Sequence, residues 1–231
     1  MQKFRFLIVM LLVVLYGTSA RAQSVLVFGG AGQLGAEVVR ELTAHHFSVT
    51  VLVRPSSNRA RLAGLPVSFV IGDVLREGDV ERVLRSGTFK VVVDALGRSG
   101  ANVDFYATAG RSIAYWSKVT GVQHIILHGS VGVGESRVAY PVSNYAVYKT
   151  LLQAKEAAEQ ALRQSGVPFT IIRNAVLHEL NPGQMDLAHR VSDPSAWGVV
   201  SRRGLARLTR ECINNSACQN KTFTAIDPGM R

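Results

Sequence analysis

The stretch Val25-Leu26-Val27-Phe28-Gly29-Gly30-Ala31-Gly32-Gln33-Leu34-Gly35 passes from an unbroken apolar run through a glycine cluster into a mixed segment, and its reading decides the fold. A short apolar run rich in valine suits a strand covered on both faces. The glycines end that strand in a tight turn, and Gln33 to Ala44 then reads as a helix. Strand, glycine turn and helix in that order open a βαβ unit.

Outward from this unit the pattern repeats. Buried-strand runs occur at Val25 to Phe28, Ser48 to Val53, Val67 to Ile71, Lys90 to Asp94, His124 to His128 and Phe169 to Ile172, with a late one at Lys221 to Ile226. Between them Asp79 to Arg85, Asp104 to Thr120 and Tyr145 to Gln164 read as further helices. In the last of these, Leu151, Ala154, Ala158, Ala161 and Leu162 form one stripe, while Lys155, Glu156, Glu159 and Arg163 are expected to point away from it. Gly166-Val167-Pro168 ends it. Right-handed crossovers then give a single α/β domain, a Rossmann-type doubly wound and mostly parallel sheet with helices on both faces.

The glycine spacing has a chemical reading in that context. Gly29 permits the turn, Gly32 lets a pyrophosphate approach the backbone, and Gly35 lets the helix pack close to the strand. The amides of Gln33 and Leu34, with the helix dipole, would hold the phosphates, so a dinucleotide is expected. After the second strand come Arg54, Ser56, Ser57, Asn58 and Arg59, where a site for NAD would present a carboxylate to the ribose hydroxyls. That acid is missing. Arg54, with Ser56 and Arg59, can pair with a 2′-phosphate instead, so NADP(H) is expected over NAD(H).

The Gly29-x-x-Gly32-x-x-Gly35 spacing, Arg54 after the second strand, Gly72-Asp73 after the third and Phe169-Thr170-Ile171-Ile172-Arg173 together resemble the atypical short-chain dehydrogenase/reductases, in their NmrA-like and NAD(P)H-binding branch. The closing segment, Val200-Ser201-Arg202-Arg203-Gly204-Leu205-Ala206 followed by Lys221-Thr222-Phe223, is similar to that branch's terminal pattern, with Gly204 where an acid is usual. The resemblance covers about residues 24 to 227. It implies Asp73 near the adenine, Ala95, Leu96 and Gly97 beside the adenosine half, and Arg173 to Val176 near the nicotinamide. By itself Asp73 also reads as a turn or capping aspartate.

Tyr145-Ala146-Val147-Tyr148-Lys149 places a tyrosine and a lysine four apart on one helical face. Lys149 would hold the nicotinamide ribose and favour ionisation of Tyr145, which would exchange a proton as hydride moves, and Ser130 would hydrogen-bond the substrate carbonyl. The resemblance implies the same Ser, Tyr and Lys trio, although fifteen residues separate Ser130 from Tyr145, more than is usual, and this branch often keeps the lysine for cofactor binding alone. Tyr148 competes for the tyrosine's role. Residues 177 to 200, with loops at Asn181-Pro182-Gly183 and Asp193-Pro194, would form a small substrate cover.

A length of 231 residues allows one full core, and 47% hydrophobic with 18% charged residues excludes a disordered chain. The formal charge of +10 is spread over helices rather than gathered in an aromatic-interleaved run, so a solvated basic surface is expected and nucleic acid is not. Residues 1–22 carry Lys3 and Arg5, an apolar run from Phe6 to Tyr16, and Ala20-Arg21-Ala22, which together read as a cleavable secretory signal. The run is too short for a stable membrane span, leaving an uncleaved anchor, or a cytoplasmic protein starting at Met10, as the alternatives to export. Cys212 and Cys218 would form a disulfide in an exported chain, ahead of two free thiols or a metal site. No metal set is expected.

These readings converge on an NADP(H)-dependent oxidoreductase acting on a small carbonyl, quinone or similar acceptor. The alternatives are a non-catalytic dinucleotide-sensing or partner-binding protein, a flavin or tetrapyrrole reductase needing no tyrosine acid, and an exported binding module that no longer uses nicotinamide. Oligomeric state is left open.

Overall fold

The structure, a computed structural model, describes residues 22–97 and 104–230, so the leader read over residues 1–22 lies outside the described residues but for Ala22. The central strand is the one the glycine turn follows: β1, Ser24–Phe28, whose Val25, Leu26, Val27 and Phe28 are fully buried. It lies between β2 (Ser48–Val53) and β4 (Val91–Asp94), parallel to both. Beyond β2 comes β3 (Val67–Ile71), and beyond β4 come β5 (His124–Ser130), β6 (Phe169–Asn174), β10 (Lys221–Ile226) and β8 (His189–Val191). Only β8 runs antiparallel, against β10. The chain order reverses at β1 and β4, which opens a crevice outside their carboxyl ends.

The sheet is covered on both faces because each helix has one apolar stripe to bury. One face carries α1 (Gln33–Ala44) and α5 (Arg202–Cys212), and the other carries α2 (Glu77–Arg85), α3 (Phe105–Val119) and α4 (Val142–Gln164). On the first face an ion pair from Arg210 to Glu41, 2.7 Å, ties α5 to α1. On the second, Gly110 brings α3 so near α4 that a Cβ there would lie 2.6 Å from that of Ala158.

Four differences from the sequence reading concern the edges. Helix α2 begins at Glu77 and α4 at Val142, each a few residues early. The expected loop cover from 177 to 200 holds strands: β7 (Val176–His178) pairs with β9 (Val199–Ser201) in a small separate sheet, and β8 extends the main one. Helix α5 was not expected at all. Its start is capped by Ser201, whose hydroxyl accepts the Gly204 amide at 2.8 Å. Gly204 itself leaves room for no side chain, since a Cβ would meet Ala188 and Asp186 within 2.7 Å. Cys212, at the end of α5, is disulfide-bonded to Cys218, and both are buried.

Among the described residues no helix is long and apolar enough to cross a membrane, and no group of His, Cys, Asp and Glu is placed to hold a metal ion.

Candidate functional site

Register sets the site. Phe28 pairs with Leu52 and with Asp94, so the loops after β1, β2 and β4 leave the sheet level with one another. Gly29 has φ +78°, and a Cβ on it would come within 2.6 Å of the Ala95 carbonyl oxygen. Only glycine satisfies both demands. The Gly32 amide donates back to the Gly29 carbonyl at 2.9 Å and closes the turn. At Gly35 a Cβ would strike the same carbonyl at 2.2 Å, so this glycine sets the contact between helix and turn. Helix α1 starts with no side-chain cap and no acid in its first turn, leaving the amide end open to an anion.

Beside this turn lies a cavity of about 290 Å³, lined on one side by Gly29, Gly32, Leu96, Gly97 and Phe105, and on the other by Arg54, Ser56, Arg61 and Asp73. Arg54 follows β2 in a turn in which its amide donates to the Ser57 hydroxyl at 3.1 Å. Of the two arginines expected here, Arg59 stacks instead on Phe69, 5.1 Å from the ring centroid. Arg61, which the sequence reading passed over, lines the cavity in its place. The difference is local: residues Ala60–Leu62 form a turn of 3-10 helix, which swings alternate side chains to opposite sides. The Asp73 carboxylate accepts the Leu75 amide at 3.0 Å in a local turn, and the residue lines the cavity. Asp79 braces that loop by accepting the Asp73 amide at 2.9 Å; this bond and one from Arg82 hold the Asp79 carboxyl below its ordinary value.

Of the expected Ser, Tyr and Lys trio, Ser130 ends β5 and Tyr145 and Lys149 lie near the start of α4, and no hydrogen bond joins the three among the described residues. The Ser130 hydroxyl donates to the Val131 carbonyl at 3.0 Å. The Tyr145 ring packs beneath the Arg137 guanidinium, 4.8 Å away, and edge-on to Tyr140. Lys149 is exposed. The lysine of α4 that faces inward is Lys155, whose ammonium lies 4.4 Å from the Tyr106 ring centroid. Burial lowers its pKa, and the charges of Asp94 and Glu159 oppose that shift. The expectation that Lys155 and Glu159 belong to the solvent face is therefore corrected, because α4 buries a charged ridge as well as an apolar one.

Arg173 explains the ridge. It is buried at the end of β6, and its guanidinium donates to Glu159 at 2.8 and 3.1 Å and meets Glu135 at 3.0 Å. Burial pushes the Glu135 carboxyl up, but bonds from its own amide and from Arg173 outweigh this and hold it low. Its charge is thus committed to tying the Gly134–Ala139 turn to α4, and its guanidinium does not line the cavity. Asp94, beneath Leu96, is buried and pushed up to about 6 by that burial, against the Leu96 amide and Lys155. His128 links the sheet to α5, with Nδ1 3.2 Å from Asn174 and Nε2 2.9 Å from Thr209, and burial lowers it to about 4.

Residues 29–216 match the family described as NAD(P)H-binding. Sanguinarine reductase of Eschscholzia californica is 26% identical, over 89% of either chain. Protein TIC 62 of Oryza sativa chloroplasts is also 26% identical over 87% of this chain, which spans only 46% of that protein. Among solved structures, ChuY, an anaerobillin reductase from Escherichia coli, superposes with a TM-score of 0.79 at 22% identity, covering 90% of this chain and 99% of that one. A wide-type short-chain dehydrogenase/reductase from Veillonella parvula in complex with NADP gives 0.72 at 16% identity, covering 90% and 96%. At these identities the structural likeness establishes the fold.

Proposed function

The chain belongs to the NAD(P)H-binding family, and from that premise we propose that it is an NADP(H)-dependent reductase passing hydride to a small-molecule acceptor over the carboxyl ends of β5 and β6. The observation that carries the cofactor choice is the pair Arg54 and Arg61 lining the cavity after β2, with Ser56 between them and no acid on that loop. No hydrogen bond or ion pair of either side chain to another described residue competes for a ligand. Two cations and a hydroxyl match a 2′-phosphate, whereas a site selecting the free ribose hydroxyls would offer a carboxylate. Gly29, Gly32 and Gly35 with the Gln33 and Leu34 amides would hold the pyrophosphate, and Asp73, Ala95, Leu96 and Gly97 would flank the adenosine. Relatives named as reductases support reduction as the chemistry.

Bound NADPH would supply the hydride. The protein's part is to hold the nicotinamide end at β5 and to leave the acceptor reachable by solvent, which delivers the proton. Lys155, facing inward beside Asp94, is the α4 cation placed to favour negative charge there. Tyr145, tucked under Arg137, shapes the acceptor side through its ring, and neither Ser130 nor exposed Lys149 is required as an acid. This favours the alternative in which hydride passes directly to a conjugated acceptor. The test is NADPH oxidation with phenanthrenequinone as acceptor, using NADPH deuterated at the transferred position. A primary isotope effect retained in Tyr145→Phe is expected, and cofactor binding without turnover on any acceptor would return the chain to a dinucleotide-sensing role. The exported location belongs to the same proposal only if the leader is used.

A further inference from the structure

The segment between β5 and α4 presents aromatic rings where the acceptor would lie. Tyr140, which ends its 3-10 turn, meets Trp197 edge to face at 5.3 Å and Tyr145 at 6.5 Å. Trp197 arrives from the connection between β8 and β9, so the cluster bridges that connection and the one after β5. Trp197 remains 40% exposed, and neighbouring Tyr148 is 47% exposed. Large rings are thus left open to water on the segment that follows β5, the strand next to β4.

The wall is built rather than incidental. A Cβ on Gly132 would strike the Tyr140 ring at 2.7 Å, so the loop was fitted around that ring. Gly134, at φ +54°, brings the same turn onto Arg173, whose buried pair with Glu159 and bond to Glu135 fix it. Burial, then the Tyr148 phenol, push the Tyr140 hydroxyl's pKa up and keep that residue neutral. Arg137, over the Tyr145 ring and 3.8 Å from the Glu156 carboxylate, closes the edge of the wall.

Aromatic side chains at such an edge gain most from a partner that is itself flat and conjugated, since offset stacking and edge contacts need an extended π surface. A compact aliphatic carbonyl would touch one ring and leave the others wet. We infer that Tyr140, Tyr145 and Trp197 form the acceptor site and that it takes flat, polycyclic conjugated molecules. This rests on the reductase reading for its chemistry: the acceptor would gain hydride from bound NADPH and a proton from solvent, so that a quinone would become its hydroquinone and NADP+ would be left.

The experiment compares two vicinal diketones, phenanthrenequinone and cyclohexanedione, on the full chain. The first readout needs no cofactor. The protein has two tryptophans, and Trp116 lies on α3 with its indole bonded to Glu77. Phenanthrenequinone is expected to quench tryptophan fluorescence saturably in the wild type and in Trp116→Phe, and not in Trp197→Phe; a saturable quench surviving in Trp197→Phe overturns the site. The second readout is turnover. Trp197→Ala is expected to raise KM for phenanthrenequinone roughly five- to ten-fold relative to that for cyclohexanedione, with Trp197→Phe recovering most of the loss. An unchanged KM ratio in Trp197→Ala overturns the flat-acceptor assignment. Absence of NADPH binding would overturn the reductase reading while the quench still decides the aromatic site.

Discussion

Acidification should destabilise this domain well above the usual range of carboxylate titration, because two histidines are buried neutral. His124, whose Nε2 lies 2.8 Å from the Thr170 hydroxyl, and His128, between Asn174 and Thr209, are each lowered by burial from 6.5 to about 4. A depressed folded-state value means that the unfolded chain takes up the proton first. The stabilisation they lend is therefore complete above 6.5 and lost as the pH falls toward 4. Between about pH 7 and about pH 5 each loses roughly 2 kcal/mol. Asp94 works in the opposite sense. Its carboxyl, raised by burial to about 6 from 3.8, destabilises the fold when ionised, and protonation over the same interval returns roughly 1 kcal/mol. The net loss is about 2–3 kcal/mol by the same linkage, a large part of a typical domain's stability. Urea denaturation at a series of pH values measures it, and the double variant His124→Asn, His128→Asn should reverse the slope because Asp94 alone of these three groups remains. Wild-type stability that is level or rises from about pH 7 to about pH 5 would refute the reasoning.

Three further outcomes follow from single contacts. Gly32→Asp, at an exposed helix start with no cap, should keep or raise the melting temperature while abolishing NADPH binding. Gly35→Ala, whose Cβ would lie 2.2 Å from the Gly29 carbonyl, should instead lower stability by about 1–3 kcal/mol through overpacking, and thermal melts of the pair separate the two roles. Reducing the Cys212–Cys218 disulfide should cost about 2 kcal/mol for so small a loop, or a fall of roughly 4–8 °C in Tm on adding dithiothreitol. Tyr145→Phe should slow turnover less than roughly threefold, and a loss of the 10²–10⁴ typical of a general acid would restore the tyrosine to that role.

The centre of the sheet was legible because β1, β4 and β5 are buried on both faces and so read as apolar runs, and the glycine turn was legible because Gly29 and Gly35 each answer a steric demand. Helix α5 was not read as a helix although its signals were present: Ser201 as cap, and Leu205, Leu208, Thr209 and Cys212 at helical spacing, masked by four intervening arginines. The cofactor side was largely visible, but which arginine after Arg54 turns inward depends on the phase of one 3-10 turn, and Arg59 and Arg61 are indistinguishable before that phase is known. On α4 the charges of Lys155 and Glu159 suggested water. Their actual partners, Asp94 and Arg173, come from other strands, and periodicity carries no information about such pairs. The tyrosine and lysine at 145 and 149 do share a helix, yet spacing alone could not foresee that Arg137 covers one and solvent surrounds the other.

The central claim is tested most directly by titrating the protein with NADPH and with NADH, following nicotinamide fluorescence, in the wild type and in Arg54→Ala, Arg61→Ala. NADPH should bind about 10- to 100-fold more tightly than NADH, the value expected when charged hydrogen bonds hold one phosphate, and the double substitution should erase the difference while leaving NADH affinity in place. Tighter binding of NADH, or a preference for NADPH that survives loss of both arginines, would contradict the account.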